Sequence, residues 1–474
     1  MKRCAIAVGL CMALASGLAA TVDPAAFGLS PTADPATNAA ALQKALDGGR
    51  RTVRVSTPGT YLLDRSIYFD SDTVFECGPG VTFRRAASYP NMFVNRGAWN
   101  YHSNSNITVR GLHISVNNMG QTPGNDTPCP GLRGQVAFYN VSRIRVYDFK
   151  CLDLTAGQYC IHFAGFEDII MDSFEIRGKK DGIHLNAGKV FAIRNGFLET
   201  GDDGIALNAG DWPVACTPVM GSIENGVIEN VHDMPGGRCN FARVITGCWK
   251  EWHSGMRLQR GDIFTVGKNV YSVALPEIST NEYVSLTAPS HTRGVWTSPE
   301  GIPFLWLQND GETRADIRNV VFRDCFLHSK RSVSCSWEFG GYARLVHPEI
   351  DPKDFPVIDI TLENVVSDSG ATIVNGNASA TIRLFNCRSA GPLVSMGGGR
   401  VRWDSNTYPT VRRILASGCT FAGSAEGRGP DFAFSDPNGD VQLTLCGNLQ
   451  ERPVRVAAPK SSKLSVRGDS EWKR

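Results

Sequence analysis

The chain lacks a surplus of charge of either sign: 48 Lys and Arg meet 46 Asp and Glu across 474 residues, for a net charge of +2. A nucleic-acid partner held by bulk charge needs a basic footprint, and none is present. Long apolar runs are lacking as well. Beyond residue 20 no stretch reaches the ~20 apolar residues of a membrane-spanning helix, so no span is expected. No two cysteines stand in a Cys-x-x-Cys pair, which argues against structural zinc. No metal or other cofactor is expected. Helical periodicity is nearly absent after residues 36–49, a short amphipathic run that Gly48 and Gly49 terminate. Disorder is not indicated either, because 42% of residues are apolar and 49 Gly with 25 Pro stay below low-complexity levels.

The first twenty residues read as an address. Lys2 and Arg3 precede an apolar run, and Ala19-Ala20 offers small residues for cleavage. A signal peptide at 1–20 and a secreted or periplasmic, monomeric mature chain at 21–474 are expected. Of the fourteen cysteines, Cys4 and Cys11 lie in that signal, which leaves an even number in an oxidising compartment. Cys151/Cys160, Cys239/Cys248 and Cys325/Cys335 could close small disulfide loops, with buried thiols as the alternative.

One phrase keeps returning along the mature chain: a polar residue, alternating aliphatics, then Asn or Asp. SNITVRGLHIS, EDIIMDSFEIR, KVFAIRNGFLET, GSIENGVIENV and VIDITLENVVS are examples. Each shows period-two alternation over about five residues, the mark of a half-buried strand. Ile169 to Phe191 and Ile360 to Ile382 are both separated by 22 residues. Strands recurring at that interval without helices between them describe an all-β parallel solenoid, whose coils bury their aliphatics against the coils above and below. The early helix then caps an open sheet end. The 94 residues from Ile223 to Ile317 are too many for one coil. A β-rich insertion at about 249–307 is expected, as a subdomain or a flap.

Two adjacent coils nearly repeat each other, GKKDGIHLNAG from Gly178 and TGDDGIALNAG from Thr200. Aligning them sets Asp181 over Asp203, one rung or ~4.8 Å away, with Asp202 beside them. If Ile183, Leu185, Ile205 and Leu207 point inward, then His184, Asn186 and Asn208 face outward. His162 of the preceding coil should lie beside His184. Two carboxylates ~5 Å apart repel by roughly 3 kcal/mol at an effective dielectric of ~20, enough to split their pKa values by about two units. One protonated and one ionised carboxyl is the pairing that glycoside hydrolysis needs. Asp-Gly steps also make plain turns, but the same Asp-Gly-Ile one coil later, with a second Asp added, favours a site.

Asp181 followed by Gly201-Asp202-Asp203, on β-solenoid rungs, resembles the polygalacturonase family, glycoside hydrolase family 28. Residues 34–84 are similar to the N-terminal region of pectate-lyase-like β-helix proteins. The resemblance implies a right-handed parallel β-helix that cleaves pectic glycosidic bonds with inversion and without metal. It implies that Asp202 is the general acid and that Asp181 and Asp203 hold and activate the water. Inversion would put the acid roughly 6.5–9.5 Å from a water-holding carboxylate. The chain departs from the family's pattern in three places. Lys179-Lys180-Asp181 replaces Asn-Thr-Asp, and Gly236-Gly237-Arg238 stands where Gly-His-Gly is usual. Arg257-Leu258-Gln259 only partly matches Arg-Ile-Lys, with Arg243 competing for that role.

Lys179, Lys180 and Arg238 could meet an acidic sugar, and Trp249, Trp252 and His253 could stack on one. Core packing and solvated turns are the plainer explanations. Trp337-Glu338 could add a further carboxylate. The leading expectation is a glycoside hydrolase on a pectin-like or other acidic polysaccharide or oligosaccharide. A polysaccharide lyase on the same scaffold and a non-catalytic carbohydrate-binding solenoid are the alternatives.

Overall fold

The Asn residues that close the repeated phrases sit where the backbone turns. Asn195, Asn225, Asn230, Asn319, Asn364 and Asn386 have φ between 50° and 58°. That is the left-handed region, where Asn is among the few residues with a side chain to be tolerated. These corners also stack on one another. Asn230 Nδ2 donates to Asn195 Oδ1 and Asn319 Nδ2 to Asn225 Oδ1, both at 2.9 Å. One such residue at a corner redirects an extended chain, and the coil returns beneath its own start.

The computed structural model describes residues 21–119, 129, 131–211, 218–274, 282–307, 313–337, 355–400, 407–421, 429–449 and 452–474. The expected signal peptide and Glu338 lie outside these residues. The chain is a right-handed parallel β-helix. Thirty-two strands join in one hydrogen-bonded system, and the rungs stack in parallel. Ile169 pairs with Phe191 and Ile360 with Ile382, so the 22-residue interval is one coil. Three long strands, Gly134–Leu154, Tyr159–Gly178 and Ile183–Thr200, run continuously around corners.

Inside the coils, like side chains stack on like. Phe69 lies on Phe93 at 5.7 Å and Phe138 on Phe163 at 5.3 Å. Each such ring, taken fully from water, contributes about 1.5–3 kcal/mol. Two rings lie over glycines of the next coil: a Cβ at Gly196 would stand 2.0 Å from the Phe174 ring, and one at Gly226 1.9 Å from that of Phe191. The helix Pro35–Leu46 begins at Asp34, whose carboxylate accepts from the Ala36 and Thr37 amides at 3.0 Å. It presses Ala39, Leu42 and Leu46 into the core at the N-terminal end of the solenoid.

Between the strands Ala242–Cys248 and Ile317–Arg323 the chain leaves the coil. Lys250–Glu251, Ile263–Val266, Asn269–Val273, Val295–Thr297 and Pro303–Leu307 form a five-stranded sheet, and Met256–Leu258 pairs with Tyr283–Ser285. Leu258, Phe264, Tyr271 and Phe304 give this part its own core. The solenoid resumes in register, with Ile317 paired to Ile223.

The three short disulfide loops are not formed: Cys151/Cys160, Cys239/Cys248 and Cys325/Cys335 are not joined to one another. Most are buried in the walls of the coil, and Cys239 is exposed where Cys248 is buried, so that pair faces different surroundings. Among the described residues no helix is long and apolar enough to cross a membrane.

Candidate active site

The repeated Asp-Gly-Ile stands at a corner, just before a strand. Ile183 pairs with Ile205 and Ile205 with Ala242. The Gly182 amide donates to the Asp203 carbonyl at 2.9 Å, so Asp181 and Asp203 occupy consecutive rungs of one sheet. Backbone packs on backbone here. A Cβ at Gly182 would meet the Gly204 carbonyl at 2.6 Å, and one at Gly201 the Lys179 Cα at 2.9 Å. The glycines bring three carboxylates together: Asp181, Asp202 and Asp203 each place one oxygen within 4.8 Å of the other two.

That spacing is tighter than the 6.5–9.5 Å of inverting enzymes. The physical reason is Lys180. Its Nζ pairs with Asp202 and stands 3.0 Å from Asp181 Oδ1, drawing the two acids onto one ammonium. The Tyr159 ring lies 5.6 Å from the same Nζ. Three convergent carboxylate oxygens could also hold a metal ion. Here the protein's own ammonium is the cation in contact with two of them.

The acids are electrostatically unequal. Burial, and after it the charge of Asp181, pushes the Asp203 carboxyl up to about 6. Asn240 Nδ2 donates to it at 2.7 Å, and Arg243 Nη1 lies 3.6 Å away. Burial works against ionising Asp181 too, but a hydrogen bond and positive charge from His184, with Lys180 beside it, hold its carboxyl below the usual range. Carboxyls this close titrate as a unit. With Asp203 pushed up and Asp181 held low, these two members give up their protons in separate steps.

The outward patch of His and Asn is present in register but not at the surface. His162, His184, Asn186 and Asn208 are all 1% exposed or less, which corrects the expectation that they contact substrate directly. They form a buried hydrogen-bonded layer instead. His184 Nδ1 donates to Asp181 Oδ2 at 2.9 Å, and its Nε2 lies 3.5 Å from Asp211 Oδ2. Burial disfavours its charge, yet the two carboxylates raise its pKa. His162 is the opposite: burial, then the charge of His184, lowers it to about 3. Its Nδ1 accepts from the Arg133 amide at 3.1 Å, so its proton sits on Nε2 and is donated to Asn186 Oδ1. Asn186 donates to the Asn208 carbonyl at 2.9 Å, and Asn208 to Asp211 at 2.8 Å.

The other expected binding residues divide. Lys179 and Arg238 are exposed at the corners that flank Asp202 and Asp203. Arg243 reaches the cluster, whereas Arg257 pairs with Glu282 at 3.1 Å on the insertion. Trp252 packs within the insertion and donates to Ser285 Oγ at 2.9 Å, and Trp249 is buried in the solenoid core. Burial corrects the expected stacking of Trp249 on sugar, while the Trp252 ring is half-buried against the insertion's core.

Four residues escaped the sequence. Tyr159 is buried and stacks face to face on His184, with ring centroids 4.0 Å apart. Asp211 is the second partner of His184, and Asn240 holds Asp203. The fourth, Arg331, is buried and joined to Asp233; it donates to Thr200 Oγ1 at 2.8 Å and to the carbonyls of Arg238 and Asp202 at 3.0 and 3.1 Å. Asp211 stands directly after the repeated Asn-Ala-Gly, and Tyr159 three residues before His162, as Asp181 stands before His184. Arg331 carries no local signal, since its partners are about a hundred residues away.

No protein-family model matches the chain. Over 294 residues it is 22% identical to a probable polygalacturonase of Arabidopsis thaliana. The match covers 54% of this chain and 65% of that protein, so it spans less than two thirds of the relative's length. Among solved structures, a family 28 exopolygalacturonase of Yersinia enterocolitica is 13% identical over 89% of this chain and 78% of its own, with a TM-score of 0.43. A hyperthermoactive exopolygalacturonase of Thermotoga maritima is 11% identical over 90% and 87%, with a TM-score of 0.45. The A-module of a mannuronan C-5 epimerase of Azotobacter vinelandii is 11% identical over 94% and 99%, with a TM-score of 0.40.

Proposed function

We propose that this chain, a divergent relative of the polygalacturonase family, is an exported glycoside hydrolase acting on an acidic, pectin-like polysaccharide or oligosaccharide. One observation carries the reading: within a single cluster Asp203 is pushed up to about 6 while Asp181 is held low. Glycosidic cleavage needs a proton donor and a base side by side. Asp202 has a side chain 32% exposed, against 4% for Asp181 and 2% for Asp203, so it is the member within reach of a glycosidic oxygen. In this reading Asp202 protonates the departing oxygen as the bond to the anomeric carbon breaks. Water forms the new bond to that carbon and gives its proton to Asp181, with Asp203 helping to hold it.

Lys180 supplies the preference for acidic sugars. A uronate carboxylate can take over the ammonium that Asp202 holds in the free protein. Asp202 is then free to swing toward the leaving oxygen, which makes room for the water that inversion requires. The similarity to a probable polygalacturonase supports the same substrate class. The test is to incubate the purified protein with polygalacturonate and a panel of neutral polysaccharides. New reducing ends from the acidic polymer, without an ultraviolet-absorbing unsaturated product, are expected. An unsaturated product would replace this reading by a lyase, and binding without cleavage would replace it by a carbohydrate-binding solenoid. Proton NMR of the first-formed anomer reports inversion.

A further inference from the structure

The sheet that carries the cluster changes character at the cluster itself. Its outward side chains form a column, one residue per coil. On the N-terminal side, Val94, Ala137, His162 and His184 succeed one another in register, and none is more than 4% exposed. Ala98 of the short helix Gly97–Asn100, Leu132 and Tyr139 pack over this side as an apolar cluster. The Arg133 amide closes onto His162, and the buried Tyr159 stands one coil before Asp181, flat against His184. On the C-terminal side the column passes the buried Ala206 and then continues as four residues, Arg243, Ser334, Asn375 and Ser395. All four are half-buried, with polar side chains, and no apolar layer among the described residues covers them.

Resting on the hydrolase reading above, we infer that the substrate lies along the C-terminal rungs alone and that the enzyme attacks chain ends. From Arg243 to Ser395 is three rungs, roughly 14 Å of polar floor. A chain of sugars offers hydroxyls and carboxylates along its whole length, which suits a floor of Ser and Asn entered past an arginine. A chain bound in its middle would have to continue past Asp181 in the other direction. Tyr159 and the apolar cover occupy that path.

The test compares product length with chain breakage. On polygalacturonate, a short product of constant size from the earliest time point is expected, with viscosity falling slowly relative to reducing ends. A fast viscosity loss with a ladder of mixed lengths would overturn the inference while leaving the hydrolase reading intact. Asn375→Trp and Ser395→Trp should each raise KM for the polymer by about tenfold, and much less for a disaccharide. The milder Asn375→Ala, which avoids crowding the coil, should raise the polymer KM by a smaller factor. A polymer KM unmoved in all three would overturn the inference. If no glycan is cleaved, the hydrolase reading falls. Retardation of the same variants in polygalacturonate gels then decides the placement: weaker retardation than wild type supports it, and equal retardation overturns it.

Discussion

Asp203→Asn should make the protein more stable at neutral and alkaline pH even as it removes activity. Asn keeps the shape of the side chain and can still accept from Asn240, which donates at 2.7 Å. What it removes is a titration. Asp203 moves from an ordinary value of 3.8 to about 6, mainly because it is buried. A folded-state pKa above the unfolded one means that the native protein holds the proton more tightly. Stability is then fullest below the unfolded value and is lost as pH rises through the folded one. About two units at 1.36 kcal/mol each come to about 3 kcal/mol lost between the two values. The amide escapes this loss. Relative to wild type, Asp203→Asn should therefore gain about 3 kcal/mol on going from about pH 4 to about pH 8, read as the difference in urea unfolding free energy. A stability difference that is the same at both pH values would refute the burial argument. Gain of stability with loss of activity is common where an active site holds strained or buried charge.

Other substitutions probe the surroundings of the cluster. Lys180→Met removes an ammonium that favours ionised Asp181, so that carboxyl holds its proton more tightly. The acidic limb of the kcat/KM profile should move to higher pH by about one to three units, and an unmoved limb would count against the role of Lys180. Arg331→Met leaves Asp233 buried without its cation and should cost about 3–5 kcal/mol in urea unfolding. Arg331→Lys should restore little, because one ammonium cannot also serve the Thr200, Asp202 and Arg238 oxygens. Gly226→Ala drives a methyl into the Phe191 ring and should cost about 1–3 kcal/mol, a loss that Phe191→Leu should partly reverse.

The fold was legible because each coil repeats its own instructions. Alternating aliphatics and a closing Asn recur at a fixed interval, and a 22-residue offset translates directly into a one-rung stack. The same arithmetic placed Asp181 over Asp203 and His162 beside His184. Exposure was not legible. Whether an outward residue meets water depends on what crosses over the sheet, and Leu132 and the Gly97–Asn100 helix come from other coils. That is why the His and Asn residues, correctly assigned to the outer face, proved to be a buried layer beneath the cluster. Lys180 was read as a surface cation for an acidic ligand. Only the placement of three oxygens within 4.8 Å shows that two carboxylates already claim it. Arg331 and Asp233 meet across 98 residues, a pairing that no local pattern encodes.

The measurement that bears most directly on the carboxylate cluster is the activity of Asp202→Asn on two substrates. On the natural polymer, loss of the proton donor should lower the rate by about 10²–10⁴-fold. An aryl uronide with a very good leaving group needs little protonation and should be slowed far less. Asp181→Asn, which impairs water activation, should slow both. Near-full activity of Asp202→Asn on the polymer would contradict the assignment of the cluster as the hydrolytic centre.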